Sequence, residues 1–363
     1  MTVPCIEPEE AVQGRYLVVD VRAPVEFDTG SVPGSVNLPL LDDEARAHVG
    51  TVYAQLGSQA ARLAAMDTVS PILPQYLRTL LAALPPRKRP AVLCWRGGER
   101  SRNVVLLLAL VGVHAVQVRG GYRAYRRWVR ESLEHWAPPV PVFTLHGPTG
   151  SGKSQLLRTL RGMGGRGQRP RPWVVDLEGL ALHRGSLLGG LHQPGERTQK
   201  DFEALLWDQL RCPHGDYLLL EGEGRRIGRL SLPAAVAAAI STGRPVHVAA
   251  PVEARTQRIL HEYAPGAWSA QERRHFLESI ALIGAWLPAS TAASLRTAFE
   301  DGRFAEVVQV LLVHYYDPLY QRSSVEGRDF VLRLVTGADA EADARRLRAG
   351  IASVLSGGGA RES

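Results

Sequence analysis

One octapeptide constrains the fold of this chain more than any other feature. Residues 147–154 read GPTGSGKS and fit the pattern G-x-x-x-x-G-K-[ST]. The apolar run VFTL (142–145) precedes it and predicts a strand, and residues 155–160 (QLLRTL) predict a helix. A glycine loop between a strand and a helix turns several backbone N–H groups, with the positive helix end, toward one point. That point holds an anion of two linked phosphates. Gly147, Thr149, Gly150, Ser151, Gly152, Lys153 and Ser154 are therefore the candidate diphosphate-binding residues. Lys153, one of only three lysines in the chain, would contact the oxygens, and Ser154 is the candidate Mg²⁺ ligand. The motif specifies a diphosphate without specifying a nucleotide.

A loop of this kind works with carboxylates at the ends of neighbouring strands. Two apolar runs supply them. WVV (173–175) leads to Asp176 and Glu178, and YLLL (217–220) leads to Glu221 and Glu223. These four are the candidates for holding Mg²⁺ or orienting a base. Helix capping is the ordinary alternative for each pair. Glu221 stands where such sites commonly use aspartate, which weakens the case for ordinary nucleotide hydrolysis.

A second chemical centre lies upstream. Residues 91–103 read AVLCWRGGERSRN. Cys94 ends a predicted strand, and the glycine-containing turn after it opens into a helix expected over 101–112. Backbone amides, a helix N-terminus and the charges of Arg96 and Arg100 converge there, so a reactive thiolate is expected. The segment Cys94, Arg96, Gly97, Gly98, Glu99 and Arg100 is the candidate catalytic loop. It could hold a persulfide, a perselenide or a phosphate. A buried strand cysteine without reactivity is the competing expectation.

Composition sets the frame. A chain of 363 residues, 45% apolar and 22% charged, fits two or three globular domains and excludes a disordered or collagenous chain. Three widely spaced cysteines (Cys5, Cys94, Cys212) give neither a disulfide framework nor a C-x-x-C metal pair. The N-terminus lacks a secretory pattern, and the longest apolar run, 104–113, is about half a bilayer span. A cytoplasmic protein without membrane attachment is expected. The net charge of +7 is compatible with a nucleic-acid partner. Strand-like runs at 16–21, 91–94 and 115–118 alternate with helical ones, which predicts a parallel sheet. The proline-rich stretch 137–142 reads as a linker between residues 1–136 and 143–355. Residues 252–320 read as mostly helical, and 356–363 as a flexible tail.

Residues 15–130 resemble a rhodanese domain. The resemblance rests on VVDVRAPVEF (18–27), SVPGSVNLPL (31–40), the cysteine loop and VRGGYRAYRRWV (118–129). It implies that Cys94 carries sulfur or selenium as a covalent adduct. The loop is C-x5-R, whereas common sulfurtransferases resemble C-x4-R. The longer loop is similar to that of rhodanese-like phosphatases, so phosphatase activity stands as an alternative for this domain.

The pairing of the two loops resembles the tRNA 2-selenouridine synthase family over residues 10–330. Further matching stretches are DLEGLALHRGSLLG (176–189), the region 193–203, LLLEGEGRRIGRLSLP (218–233), PVEARTQRIL (251–260) and YYDPLY (315–320). The implied architecture is α/β: a rhodanese-like parallel-sheet domain, then a P-loop NTPase-like domain with a helical C-terminal region. The implied activity is a transferase acting on tRNA in two steps. Wobble 2-thiouridine is alkylated on sulfur by geranyl diphosphate, and selenium from selenophosphate then replaces the geranylated sulfur. On this reading His183, Arg184 and Ser186 contact phosphate or tRNA. Arg225, Arg226 and Arg229 contact the RNA backbone, as do Arg123, Arg126, Arg127 and Arg130, with a solvated helix face as the ordinary alternative for both runs. An apolar groove for the geranyl tail is expected in the helical region after Val252. A different reading is an ATP-dependent kinase or sulfurtransferase whose P-loop binds nucleotide.

Overall fold

The computed structural model describes residues 2–163, 169–183, 197–222, 224–263, 268–284, 286–322 and 328–357. Arg184, Ser186, Glu223, residues 193–196 of the family-like region and residues 358–363 of the tail lie outside them. The chain divides into two compact units: Met1–His135 with Thr198–Asp208, and Trp136–Arg197 with Gln209–Ser363.

The first unit is a five-stranded, all-parallel sheet. Its strands are β1 (Cys5–Ile6), β2 (Tyr16–Asp20), β3 (Val36–Asn37), β4 (Arg89–Leu93) and β5 (Val116–Val118), ordered β1-β5-β4-β2-β3. β2 and most of β4 are buried along their whole length, as parallel strands covered on both faces must be. Leu17, Val19, Val92, Val104, Val105 and Leu108 form the core on one face. The helix after the cysteine loop spans Glu99–Leu110, two residues earlier than expected, because Gly98 and not Ser101 occupies the cap position. Ser101 is instead fully buried within the first turn. The segment 198–208, distant in sequence, packs into this unit. Asp201 accepts a hydrogen bond from the Ser31 N–H at 3.0 Å, and Trp207 meets Trp128 edge-on.

The second unit contains β6 (Val142–His146), β7 (Pro172–Val175), β8 (Tyr217–Glu221), the short hairpin strands β9 (Arg226–Ile227) and β10 (Leu230–Ser231), β11 (Arg244–Ala249) and β12 (Leu332–Val335). The main sheet is all parallel with order β12-β11-β6-β8-β7. β6 is central, and the chain leaves it first toward β8 and β7 and later toward β11 and β12. The carboxyl end of β6 is thus a topological switch point, where open parallel sheets bind ligands. Phe143, Leu145, Leu219, Val246 and Val248 pack against Leu156, Leu157, Leu160, Leu347 and Ile351 from two helices. A separate helical layer has its own core around Trp268, Phe276, Phe299 and Leu311. It comprises Val252–Tyr263, Ala270–Gly284, Ala289–Glu300 and Phe304–Leu311, followed by a π-helical turn, Leu312–Tyr316. The two parallel sheets and the helical C-terminal region agree with the sequence expectation. Among the described residues, no helix is long and apolar enough to cross a membrane.

Candidate functional site

In the first unit the Cys94 sulfur sits at the carboxyl end of β4. The Gly98 N–H and the Ser101 hydroxyl both donate to Sγ at 3.2 Å. Two donors at one sulfur stabilise negative charge on it. The loop is held from the opposite side by Gly120-Gly121. The Tyr122 and Arg123 N–H groups donate to the carbonyls of Cys94 and Trp95 at 2.9 and 3.0 Å. Gly121 has φ +60°, and a Cβ there would collide with the Cys94 carbonyl and the Gly97 nitrogen. The glycine pair is therefore a seat for the cysteine loop, a role the sequence presents only as a turn.

The charged residues of the loop divide. Arg96 is exposed, with no hydrogen bond or ion pair among the described residues. Glu99 faces outward to Arg62 at 2.6 Å. Arg100 turns inward and pairs with Glu26 at 2.6 Å. Burial opposes the Glu26 charge, but Arg100, the Ala23 N–H and Arg46 outweigh it and hold the carboxyl below its ordinary value. Behind the loop, Arg22 is fully buried, paired with Asp20 at 2.6 Å and laid 3.9 Å over the Tyr122 ring.

In the second unit the phosphate loop follows β6 directly, and the helix Lys153–Gly162 begins on it. Gly150 and Gly152 have φ +77° and +96°, conformations that favour glycine and turn the loop amides inward. The Lys153 ammonium folds over its own loop and donates to the Gly147 carbonyl at 2.7 Å. The Ser154 hydroxyl lies 2.8 Å from both Glu178 and Glu221. A hydroxyl has one proton, so two carboxylates at that distance leave an acceptor-rich, oxygen-only cluster. Glu221 is fully buried and also accepts from the Glu178 N–H at 3.0 Å. Asp176 is not in this cluster. It accepts from the Gly179 N–H at 2.7 Å and caps the helix Leu177–Ala181.

Residues far along the chain brace the loop from behind. Arg255 is almost fully buried; its Nε donates to the Thr149 carbonyl at 2.8 Å, and its other nitrogens reach Asp317 at 2.6 and 3.0 Å. Arg258 donates to the Gly150 carbonyl at 3.2 Å, and Thr336 to the Ser151 carbonyl at 2.8 Å. The stretches PVEARTQRIL and YYDPLY therefore meet at the phosphate loop through one ion pair. Neither stretch shows this by itself, because each reads only as an amphipathic helix. His146, just before Gly147, carries no motif signal in the sequence. Burial, together with the charges of Arg328 and Lys153 and neighbouring His247, lowers its pKa to about 4, so its ring is neutral at pH 7.

Thr149 of the same loop also borders an apolar pocket. Thr149 lines it together with Ile259, Trp268, Phe276, Phe299 and Leu311. Tyr316 and Leu312 line it too and belong to the π-helical turn, a local distortion that commonly marks a functional site. The sequence points to this helical region for an apolar groove but does not name the lining residues, because a groove wall and a core face repeat alike.

The arginines expected at RNA separate into two groups. On the helix Gly121–Glu134, Arg123, Arg127 and Arg130 share an exposed face, while Arg126 is half-buried and ion-paired with Glu203. Arg225, Arg226 and Arg229 are exposed on and beside the β9–β10 hairpin. The His183 ring packs on Gly228 of that hairpin, where a Cβ would approach it to 2.6 Å. Two motifs separated in sequence thus form one surface of the second unit.

Fold and sites define a protein class: a rhodanese-like unit with a cysteine loop, joined to a P-loop unit in which a residue of the phosphate loop borders an apolar pocket. Residues 8–127 match the rhodanese-like domain family, and residues 140–344 match the tRNA 2-selenouridine synthase AAA domain family. The chain belongs to the tRNA 2-selenouridine synthase family. It is 31% identical over 364 residues to the tRNA 2-selenouridine synthase of Bdellovibrio bacteriovorus, covering 88% of this chain and 93% of that protein. The corresponding protein of Shewanella pealeana is 33% identical over 347 residues, with 88% and 92% covered. That of Nitrosomonas eutropha is 36% identical over 266 residues, with 71% and 66% covered.

Proposed function

We propose that this protein converts wobble 2-thiouridine of tRNA to 2-selenouridine through an S-geranyl intermediate, with geranyl diphosphate and then selenophosphate as donors. The observation that carries this reading is the apolar pocket that counts Thr149 of the diphosphate loop among its lining residues. A ligand with a diphosphate head and a branched C10 tail matches that juxtaposition. Burying about ten carbons there contributes several kcal/mol, at roughly 0.8 kcal/mol per CH₂.

In the first step the thiocarbonyl sulfur bonds to the geranyl carbon and the C–O bond to diphosphate breaks. The loop amides and Lys153 stabilise the charge that develops on the departing diphosphate. The oxygen cluster of Ser154, Glu178 and Glu221 fits a hard divalent cation, and these residues would hold a Mg²⁺ that neutralises diphosphate charge. Alkylation converts a poor leaving group, a thiocarbonyl sulfur, into a thiolate that can depart from the base. In the second step water takes the phosphoryl group as the P–Se bond of selenophosphate breaks. The selenide-level selenium bonds to C2 of the base, and the C2–S bond breaks to release geranyl thiol. Cys94, with its two donors, delivers the selenium without a change of oxidation state. Arg123, Arg127 and Arg130 and the hairpin arginines contact the tRNA backbone.

The test is nucleoside mass spectrometry on tRNA incubated with the protein and each donor separately. Geranyl diphosphate alone is expected to give S-geranyl-2-thiouridine, and both donors 2-selenouridine. Cys94→Ala is expected to accumulate the geranylated base, and Lys153→Ala to give neither product. Full selenation by Cys94→Ala overturns the role of the thiol. Turnover that requires ATP, without use of geranyl diphosphate, overturns the pathway.

A further inference from the structure

Gln117 is a polar residue in the middle strand residue of β5, with 6% of its surface exposed. A buried amide in a sheet is costly unless its groups are bonded. Its Nε2 lies 2.8 Å from the Gly97 carbonyl, 3.0 Å from the Gly98 carbonyl and 2.8 Å from the Ser101 hydroxyl oxygen. Its Oε1 faces the Cys5 thiol, which donates at 3.7 Å. The orientation of the amide follows from these partners. Reversed, its oxygen would confront two carbonyl oxygens, and its NH₂ would face a weak acceptor.

This arrangement decides where the Ser101 proton goes. Gln117 donates into a lone pair of the Ser101 oxygen, so that oxygen acts as an acceptor toward the strand. The hydroxyl proton then has two acceptors within reach, the Cys94 sulfur at 3.2 Å and the Gly98 carbonyl at 3.3 Å. With one N–H given to Ser101, the other N–H of Gln117 is shared between the Gly97 and Gly98 carbonyls. An anionic sulfur is a stronger acceptor than a neutral carbonyl, so the Ser101 proton goes to Cys94 whenever the thiol is ionised. The shared N–H holds the Gly97 carbonyl at 2.8 Å, and the Gly97–Gly98 peptide it belongs to carries the Gly98 N–H that is the second donor to the sulfur.

We propose that Gln117 is a positioning residue for the sulfur site: through Ser101 and the loop carbonyls, it aims both hydrogen-bond donors at the Cys94 sulfur. Gln117 does not touch the sulfur or its cargo. The inference rests on Cys94 being the chalcogen-carrying thiol of the proposed function.

The readout is the far-ultraviolet absorbance of the Cys94 thiolate across pH, taken as the difference between the full chain and its Cys94→Ser variant. Thermal melting monitors the fold. Ser101→Ala should move the titration to higher pH by about one unit, the scale of losing one hydrogen bond to a charged group, and Gln117→Met by at least as much, because it releases both donors. The double variant should move it no further than Gln117→Met alone, because the two residues act in series. Gln117→Asn, which keeps the amide but withdraws it, serves if Gln117→Met does not fold, and the same shift is expected. An unchanged titration in Ser101→Ala or in the folded Gln117 variant overturns the inference and leaves the thiol role intact. Shifts that add in the double variant overturn the serial relay. A wild-type Cys94 that gives no thiolate signal below the titration of an exposed thiol overturns the inference and the thiol role together.

Discussion

The guanidinium of Arg255 lies 2.6 Å from the carboxylate of Asp317 and, through its Nε, 2.8 Å from the carbonyl of Thr149. A pair separated by 62 positions in sequence thus fixes the middle of the phosphate loop. Asp317 also opens the helix that follows the π-helical turn, and residues of that turn line the apolar pocket. The bridge therefore ties the phosphate loop to the turn whose Leu312 and Tyr316 line the pocket.

Weakening the bridge should affect diphosphate binding first. Lysine cannot reproduce a fork that serves a carbonyl and a carboxylate together. Arg255→Lys is expected to weaken calorimetric binding of inorganic pyrophosphate about tenfold, while leaving the thiolate titration of Cys94 unchanged. Pyrophosphate affinity equal to the wild type would show that the loop does not need the bridge.

The pocket should select on tail size. Val308 lines it and is half-buried, so Val308→Trp adds bulk without removing a core side chain. Binding of geranyl diphosphate should fall by tenfold or more, and binding of pyrophosphate should not change. Equal losses for both ligands would place the tail elsewhere.

His146 predicts a pH dependence of stability. Its ordinary value is 6.5 and its folded value is about 4, lowered by burial and then by the charges of Arg328 and Lys153. Between those values the unfolded chain binds a proton that the folded chain does not. Stability should therefore fall as pH drops through 6.5 toward 4 and show no further loss from this group below that. His146→Gln should flatten the slope by up to one proton, read from urea denaturation at a series of pH values. An unchanged slope would show that the ring is protonated in the folded state.

RNA contact through the hairpin should appear in salt dependence. Arg226→Ala is expected to weaken tRNA binding and to lower the slope of log affinity against log salt by roughly one. Fluorescence anisotropy at several salt concentrations measures it. An unaltered slope would remove Arg226 from the interface.

The seat of the cysteine loop gives a local test. Alanine at Gly121 must take φ +60° and push against the Cys94 carbonyl. Gly121→Ala should cost about 1–3 kcal/mol of stability in the first unit. It should also disperse the thiolate titration of Cys94. A wild-type titration and melting curve would show that the loop can move at no cost.

The amino-acid sequence alone determined the two main-chain nests, because each is built from neighbours in the chain. Strand, glycine turn and helix start are contiguous at Cys94–Glu99 and at Gly147–Ser154. It also determined the α/β alternation and the helical character of the C-terminal region. Tertiary structure decided what those nests are joined to. Ser154 meets Glu178 and Glu221 across three elements, Asp176 is diverted to a helix cap, and Gly121 carries the cysteine loop. Whether Trp268, Phe276 and Phe299 fill a core or wall a pocket depends on how the helices splay, and an apolar repeat carries no record of that spacing. Arg255 with Asp317, and Gln117 with Ser101, are pairings between distant or unremarkable positions. Their partners exist only after the chain has folded, since a side chain's hydrogen bonds depend on proximity in space and not along the sequence.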